Sequence, residues 1–415
     1  MSTPALPQQT LPQTTLHVVG AGLAGLAAAT AAARAGVRVR LYEAAGHAGG
    51  RCRSFRDDKL DRVIDNGSHL VLGANRTALA YARATGGLEA MRPVPPRFPF
   101  HDLASGQRWE VSPTRIPAGP GEILRALGLP WTRREASVAE RLGDRRGFVR
   151  LWKPLCEAIL NTAPEEASAR MFSWTMRRAL LGGAPALSPW LFPHGLSAAL
   201  VAPALATLAS YGAEIQFRRR LTGIESGRLL FEDGPEALGE ADRVVLALPP
   251  WAVAPILPGW IPPLPTRTIV NAHFRLEAAV TLPGGAPFLG LVNGFGHWLF
   301  PRGDVLSVTV SAAEPLVDRP ADEVAAVLWG EIASVLGRDP AAIPPVRVIK
   351  ERRATLAHDP ATLPRRPGPE TPLAGVMLAG DWLRSPWPCT IEAAISSGLD
   401  AARRALGRPT LVFGP

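Results

Sequence analysis

The feature that most constrains this chain is the glycine-rich segment near its N-terminus, residues 16–54. A short apolar run, Leu16 to Val19, leads into Gly20, Gly22 and Gly25, which are spaced as GxGxxG and followed by an alanine-rich run and a second apolar strand. This order predicts a βαβ unit whose first turn contains the glycines. In such a turn Gly20 permits the tight bend, Gly22 lets the backbone approach a pyrophosphate, and Gly25 lets helix and strand pack closely.

The second predicted strand ends in an acidic residue, Glu43, placed 18 residues after Gly25. A carboxylate at this point accepts hydrogen bonds from the ribose hydroxyls of an adenosine, and it disfavours a 2′-phosphate. The segment therefore predicts a dinucleotide site that binds FAD or NAD in preference to NADP.

The residues after Glu43 distinguish between these two cofactors. Gly49 and Gly50 are followed by Arg51, which combines a flexible backbone with a planar cation beside the phosphates. A glycine-rich surface turn would have the same composition. This segment resembles the GGR segment of the FAD-binding amine oxidase and phytoene desaturase superfamily. The resemblance implies FAD as the cofactor and an α/β fold, with a discontinuous Rossmann-like FAD-binding domain and an inserted α+β substrate domain containing an antiparallel sheet.

The domain boundaries follow from where the chain resembles the returning parts of that fold. The strand-like run ADRVVLALPP, residues 241–250, resembles the return into the FAD domain, where the backbone near Leu221 would meet the adenine. We predict a disordered tail at 1–14, the FAD-binding domain at 15–74, 196–250 and 370–415, and the substrate-binding domain at 75–195 and 251–369.

Two further motifs resemble flavin-contacting parts of the superfamily. The Asp-Asn-Gly-Ser-His segment, residues 65–69, would pass beside the flavin with Gly67 and Ser68 at the ring. Near the C-terminus a strand ends at Gly380 and Asp381, and a helix starts after a proline-rich loop. The resemblance implies that Asp381 bonds the ribityl or phosphate region. The free amides near Thr390 and Ile391 would face the N1/O2 edge of the flavin, where negative charge gathers on reduction.

The most distinctive stretch is WKPLCEAILNTAPEEASARMF, residues 152–172. It resembles a segment of the hydroxysqualene dehydroxylases, also called squalene-associated FAD-dependent desaturases. That resemblance implies a lipophilic isoprenoid substrate and the reductive conversion of hydroxysqualene to squalene in squalene and hopanoid biosynthesis. Loss of the hydroxyl as water requires a proton donor, because hydroxide leaves poorly at neutral pH. The candidate proton donors are His69, Cys389 and a bound water. The sequence does not identify the electron donor that reduces the flavin.

Other functions remain open at this point. A carotenoid or phytoene desaturase would use the same fold and a similar lipid in the oxidising direction. A flavin amine oxidase is disfavoured, because those enzymes typically carry a lysine in the strand that Ile269 to Phe274 resembles, and this strand has none. A flavin-binding or prenyl-carrier scaffold without turnover is a third alternative.

The amino-acid composition restricts the possible binding partners and the cellular compartment of the protein. The formal net charge is +9, and only three of the 45 basic residues are lysine, but no basic block suggests nucleic acid. Three cysteines without a CxxC pair fit a reducing compartment, and no metal site is indicated. Residues 1–14 lack the features of a signal peptide, and no stretch is long and apolar enough to span a bilayer.

We expect a cytoplasmic protein with peripheral contact to the inner face of the cell membrane. The expected contact is an apolar patch within 174–205 that includes Trp190 and Phe192.

Overall fold

The structure, a computed structural model, describes residues 14–414. The predicted disordered tail therefore lies outside the described residues, except for Thr14. The strands in chain order are β1 (Thr15–Val19), β2 (Arg38–Glu43), β3 (Ser54–Asp57), β4 (Arg62–Asp65), β5 (Val71–Leu72), β6 (Arg92–Pro93), β7 (Phe98–Asp102), β8 (Arg108–Val111), β9 (Pro189–Leu191), β10 (Glu214–Phe217), β11 (Leu221–Glu225), β12 (Arg228–Phe231), β13 (Gly234–Ala237), β14 (Arg243–Leu246), β15 (Thr266–Arg275), β16 (Leu289–Val292), β17 (Trp298–Arg302), β18 (Val305–Val310), β19 (Val346–Leu356) and β20 (Val376–Leu378).

The α-helices are α1 (Leu23–Arg34), α2 (Arg76–Ala84), α3 (Pro120–Ala126), α4 (Val138–Leu142), α5 (Lys153–Leu160), α6 (Ala169–Leu180), α7 (Gly183–Leu187), α8 (Leu196–Leu200), α9 (Ala202–Ser210), α10 (Pro250–Val253), α11 (Glu314–Val317), α12 (Ala321–Leu336) and α13 (Ile391–Leu406).

A five-stranded sheet, in the order β10-β2-β1-β14-β20, carries the predicted βαβ unit. All its neighbouring strands are parallel, and the central strand β1 is fully buried. Parallel sheets are covered on both faces, which explains the continuous apolar run in β1. Helices α1 and α13 pack closely, since a Cβ added at Gly398 would lie 2.0 Å from the carbonyl oxygen of Ala24. The first and last parts of the chain therefore share one core.

A second sheet has seven strands in the order β19-β15-β18-β17-β16-β7-β8. The predicted antiparallel sheet is confirmed, with one correction: the neighbouring strands β16 and β7 are parallel. Side chains of β18 alternate between the two faces, as the period of a strand requires. Leu306, Val308 and Val310 join the cluster that contains α12, whereas Ser307 and Thr309 point to the other face.

Helices α3 to α6 form a lobe that packs against the second sheet through one apolar cluster. Its helical stretch 148–160 is not one regular helix, because Phe148–Trp152 is π-helical and α5 begins at Lys153. Pro154 lies in the first turn of α5, where its missing N–H costs no hydrogen bond. The buried members of this stretch, including Leu151, Trp152 and Leu160, contribute to the core.

Candidate active site

The two glycine loops predicted to hold the cofactor lie side by side. The amide of Gly49 donates to the carbonyl oxygen of Ala21 at 2.8 Å. Gly20 has a φ of +102°, and a Cβ there would lie 2.4 Å from the carbonyl oxygen of Ala247. At Gly25 an added Cβ would lie 1.8 Å from the carbonyl oxygen of Gly20. Packing of the turn itself thus requires glycine at positions 20 and 25.

Gly22 is different, and it tests whether a dinucleotide fits. A Cβ added there would meet nothing within 4 Å, and its φ of −71° suits any residue. Helix α1 begins at the next residue, with no capping side chain from residues 14–414. Gly50, on the facing loop, has a φ of +56° and approaches the Cα of Gly22. Open space beside uncapped amides at a helix N-terminus suits a pyrophosphate, so the residues present fit FAD.

Glu43 is held at the end of β2 beside this turn. Its Oε2 accepts from the amide of Ala21 and its Oε1 from the amide of Ala45, each at 2.8 Å. A carboxylate has further lone pairs, so both oxygens can still accept from ribose hydroxyls. The amide of Arg219 donates to the carbonyl oxygen of Glu43 at 2.9 Å, which brings the start of β11 alongside. Leu221 there is buried with Val19 and Tyr42; its contact with adenine stays a prediction.

Arg51 connects the GGR loop to the C-terminal motif. Its Nη2 donates to Oδ1 of Asp381 at 2.6 Å, and its Nη1 donates to the carbonyl oxygen of Ala354. Desolvation disfavours the guanidinium charge, but Asp381 outweighs it and raises the pKa of Arg51. The Asp381 carboxylate is nearly buried, with 7% of its side chain accessible, whereas 41% of the Arg51 side chain is accessible. The structure thus brings the two predicted FAD motifs into direct contact.

The C-terminal motif has the predicted strand–loop–helix form. Gly380 has a φ of +154°, and a Cβ there would lie 2.4 Å from Nε1 of Trp382. Thr390 is the N-cap of α13, because its Oγ1 accepts from the amide of Ala393 at 3.3 Å, and Ile391 is the first helical residue. A cap of this kind satisfies one of the helix's initial amides and leaves others to bind a ligand.

His69 lies near the contact between Arg51 and Asp381. Its Nδ1 donates to the carbonyl oxygen of Gly67 at 2.7 Å, which leaves Nε2 as the free ring nitrogen of the neutral form. The ring keeps accessible surface, yet the surrounding protein lowers the pKa of His69 by desolvation, and the nearby charge of Arg51 lowers it further. Gly67 is buried and Ser68 partly buried beside it. At neutral pH His69 is therefore uncharged, and it must gain a proton before it can donate one from Nε2.

Cys389 borders an open pocket that Arg51, Asp381 and Thr355 also line. Its Sγ donates to the carbonyl oxygen of Asp381 at 3.5 Å. Burial raises the pKa of Cys389 to about 12, so the thiol stays protonated at neutral pH. A thiol of such low acidity, already engaged in a hydrogen bond, is a weaker candidate proton donor than His69.

Sequence reasoning missed two fully buried residues that position the C-terminal loop. Arg366 donates to the carbonyl oxygens of Asp381, Trp382 and Trp387 at 2.7–3.1 Å. His358 accepts from the amide of Cys389 at Nε2 (2.9 Å) and donates from Nδ1 to the carbonyl oxygen of Leu160 (2.5 Å). Neither residue belongs to a local motif. The only available signal was the presence of charged or titratable residues between apolar segments.

His358 also contacts the distinctive segment 152–172 through its backbone. Its amide donates to Oγ1 of Thr162 at 3.2 Å, and its carbonyl oxygen accepts from the amide of Ser168 at 2.8 Å. Together with the bonds to Leu160 and Cys389, these contacts join the segment to the loop that precedes α13. The stretch that is most distinctive in sequence therefore lies against the predicted flavin edge.

The strand that lacks the lysine of the amine oxidases is β15. Asn271 of this strand faces the 66–69 segment, where its Nδ2 donates to the carbonyl oxygen of Asn66 at 3.4 Å. Thr309 donates to the Oδ1 of Asn271 at 2.8 Å and fixes the amide. Lys350 pairs with Val270 on the other face of the sheet, and its Nζ donates to the carbonyl oxygen of Arg319. Asn271 thus lies on the face of β15 that is turned toward the 66–69 segment.

Residues 23–406 match the family described as flavin containing amine oxidoreductase. A hydroxysqualene dehydroxylase from Rhodopseudomonas palustris is 41% identical over 94% of this chain and 97% of its own length. A second, from Sinorhizobium fredii, is 38% identical over 94% of this chain and 98% of its length. Among solved structures, cyclohexylamine oxidase from Brevibacterium oxydans matches with a TM-score of 0.72, covering 96% of this chain and all of that one at 16% identity. That structural likeness confirms the predicted fold class.

Proposed function

The chain belongs to the flavin containing amine oxidoreductase family and, within it, to the hydroxysqualene dehydroxylases, and we propose that it converts hydroxysqualene to squalene by FAD-dependent reduction. The observation that carries this proposal is likeness to named hydroxysqualene dehydroxylases along nearly the whole chain. The predicted FAD cofactor agrees with the family.

The site residues for FAD are proposals that the geometry supports. Gly20, Gly22 and Gly25 would receive the pyrophosphate at the start of α1, with Glu43 at the ribose. On the facing loop, Gly50 and Arg51 would lie on the opposite side of the pyrophosphate. Asp381 holds Arg51 in position by accepting its hydrogen bond. The amides of α13, beginning after the Thr390 cap, supply positive potential where the ring becomes negative.

The reaction exchanges one bond at the substrate carbon. The C–O bond breaks with its electron pair on oxygen, a C–H bond forms, and the oxygen takes a proton to leave as water. FAD, when bound and reduced by an external donor, supplies the hydride for the new C–H bond. The chain must supply the proton and exclude bulk water from the reacting carbon.

We assign the proton delivery to His69, on geometric grounds. Its Nδ1 is held by Gly67, which turns Nε2 away from the backbone and leaves it as the only ring atom that can serve the substrate. Asn271 and the buried Gly67 fix the loop that carries it. Cys389 stays the weaker alternative, because its thiol hydrogen bonds inward to Asp381.

A lipophilic isoprenoid substrate implies contact with a membrane, and we propose peripheral attachment of a cytoplasmic protein to the inner face. Among residues 14–414, no helix combines the length and apolarity needed to cross a bilayer. The patch expected from the sequence is wrong at Phe192, which is buried in the apolar cluster that includes α1 and α13. Trp190 is half-buried and packs against the same cluster.

Product analysis under defined redox conditions tests the proposed function. Purified holoenzyme is incubated without oxygen with hydroxysqualene and a chemical reductant, and in parallel with phytoene and an oxidised quinone. We expect squalene in the first mixture and no desaturated product in the second. Desaturated phytoene without squalene would assign the chain to the oxidising reaction instead, and no product with flavin bound would favour the scaffold alternative.

A further inference from the structure

The helical lobe exposes four large apolar side chains, three in or just after α3 and one at the end of α6. Trp131 is 84% exposed and Leu181 74%, and Leu124 and Leu129 are about half exposed. We refer to these four residues as the Trp131 surface. Isolated exposed apolar residues are ordinary, but a group of this size marks an interaction site.

Local contacts place these four residues near one another. The amide of Leu129 donates to the carbonyl oxygen of Leu124 at 2.8 Å, and Trp131 follows two residues later. The same turn is fixed to α6, because Nε of Arg177 donates to the carbonyl oxygen of Leu127 at 2.5 Å. Leu181 ends α6 one turn beyond Arg177 and so lies at the same end of the lobe.

The charge around the Trp131 surface is net basic, because the exposed residues that follow Thr132 are two arginines, Arg133 and Arg134, and one acid, Glu135. The guanidinium groups of Arg133 and Arg134 make no hydrogen bond or ion pair with any residue in 14–414. The nearest preceding acid, Glu122, is turned inward, where its Oε2 accepts from Nε1 of Trp152 at 3.1 Å. Free arginines beside exposed tryptophan and leucine are the combination that binds an anionic bilayer surface.

The Trp131 surface lies over the apolar cluster of the lobe. Ile123 and Leu127, on the same turn, pack against this cluster, which continues through Phe172 and Trp152. It reaches Phe288 and Trp298 on the seven-stranded sheet, whose strand β15 carries Asn271 beside the candidate site. The Trp131 surface is therefore connected by packed apolar side chains to the sheet that borders the candidate site.

We propose that the Trp131 surface docks on an anionic phospholipid bilayer and that the lipophilic substrate enters from there. This inference rests on the proposed function for the identity of the substrate. The bilayer is recognised by Trp131 and Leu181 in the interface and by Arg133 and Arg134 at the headgroups. Protein partners and self-association are alternative occupants that the experiment separates.

The test measures co-sedimentation of full-length holoenzyme with vesicles of phosphatidylglycerol and phosphatidylcholine, and with phosphatidylcholine alone. We expect binding to the anionic vesicles that weakens with salt. Trp131→Ser combined with Leu181→Ser should lower the partition coefficient by roughly tenfold, and Arg133→Ser with Arg134→Ser should remove most of the salt dependence. Trp260→Ser, at an exposed tryptophan outside this surface, is the matched control and should bind like the unmodified protein.

Turnover of hydroxysqualene in detergent micelles is measured on the same variants, and unchanged melting temperatures establish that they fold. Equal vesicle binding by the Trp131/Leu181 variant and the unmodified protein overturns the docking proposal. So does the absence of binding, or a concentration-dependent change of oligomeric state that the same substitutions abolish. Vesicle binding without dehydroxylation in micelles would instead contradict the proposed function and leave the docking surface standing.

Discussion

Arg51 and Asp381 lie 330 residues apart in sequence, and their side chains meet at 2.6 Å between Nη2 and Oδ1. The contact joins the loop that follows the first βαβ unit to the loop that precedes α13. Each motif alone is compatible with other folds. Their direct contact beside the glycine turn places the proposed phosphate-binding and ring-binding parts in one site.

Removal of this cation should weaken FAD binding. Arg51→Ala leaves the nearly buried Asp381 carboxylate without its partner and removes positive charge beside the phosphates. Because Arg51 is partly exposed, we expect a loss of about tenfold in FAD affinity, about 1.4 kcal/mol, in a titration of apoprotein with FAD. Arg228→Ala, which breaks the exposed Arg228–Glu225 pair, is the control. Equal affinities for both variants would remove Arg51 from the cofactor site.

The glycine turn allows a test that separates cofactor binding from folding. Gly22→Val should leave the melting temperature of the apoprotein nearly unchanged, because the added side chain meets no protein atom at its Cβ, and should abolish FAD binding. Gly25→Ala should lower the stability of the apoprotein by about 3 kcal/mol, since its Cβ would overlap the carbonyl of Gly20. Calorimetry with and without FAD gives both quantities. Normal FAD binding by Gly22→Val would contradict the pyrophosphate assignment.

The pH dependence of turnover tests His69. Its pKa is lowered, so the protonated form that can donate from Nε2 accumulates only below pH 6.5. Turnover limited by proton donation should therefore rise as the pH falls from 8 toward 5. His69→Gln should lose this rise and lower kcat by about a hundredfold, with FAD still bound. A variant that keeps the same pH profile would show that the proton comes from elsewhere.

Protein stability should fall in acid because of His358. Burial lowers its folded-state pKa to about 4, whereas the ordinary value is 6.5. The unfolded chain therefore takes up a proton first, so stability is complete above pH 6.5 and is lost as the pH falls toward 4. The loss amounts to up to about 3 kcal/mol for this residue.

His358→Gln keeps a donor and an acceptor but does not titrate, so it should flatten the decrease in unfolding free energy between pH 6.5 and 4. Urea denaturation at several pH values measures this quantity. His194→Gln, at an exposed histidine, controls for the loss of a histidine in general. If the unfolding free energy of His358→Gln falls with decreasing pH as steeply as that of the unmodified protein, His358 is not the source of the acid sensitivity.

Much of the fold was predictable because it follows from local patterns. Gly20, Gly25 and Gly380 are each required by a backbone conformation or a close approach that only glycine accepts. Their positions in the sequence therefore predict the turns in which they lie. The apolar run of β1 reflects its place in the middle of a parallel sheet.

Other parts depend on contacts between distant segments, which sequence patterns do not encode. His358 owes its role to Leu160 and Cys389, which lie 198 and 31 residues away. The position of a surface patch depends on which apolar side chains the core covers. For this reason Phe192 was expected outside and is buried, and Trp131 was not singled out.

The most direct test of the whole account is a single turnover without oxygen. Holoenzyme is reduced stoichiometrically, freed of excess reductant, and mixed with hydroxysqualene in detergent while the flavin absorbance and the lipid products are followed. We predict that one squalene forms for each flavin that returns to the oxidised state, at the same rate. Squalene formed without flavin oxidation, or flavin that stays reduced while hydroxysqualene remains intact, would contradict it.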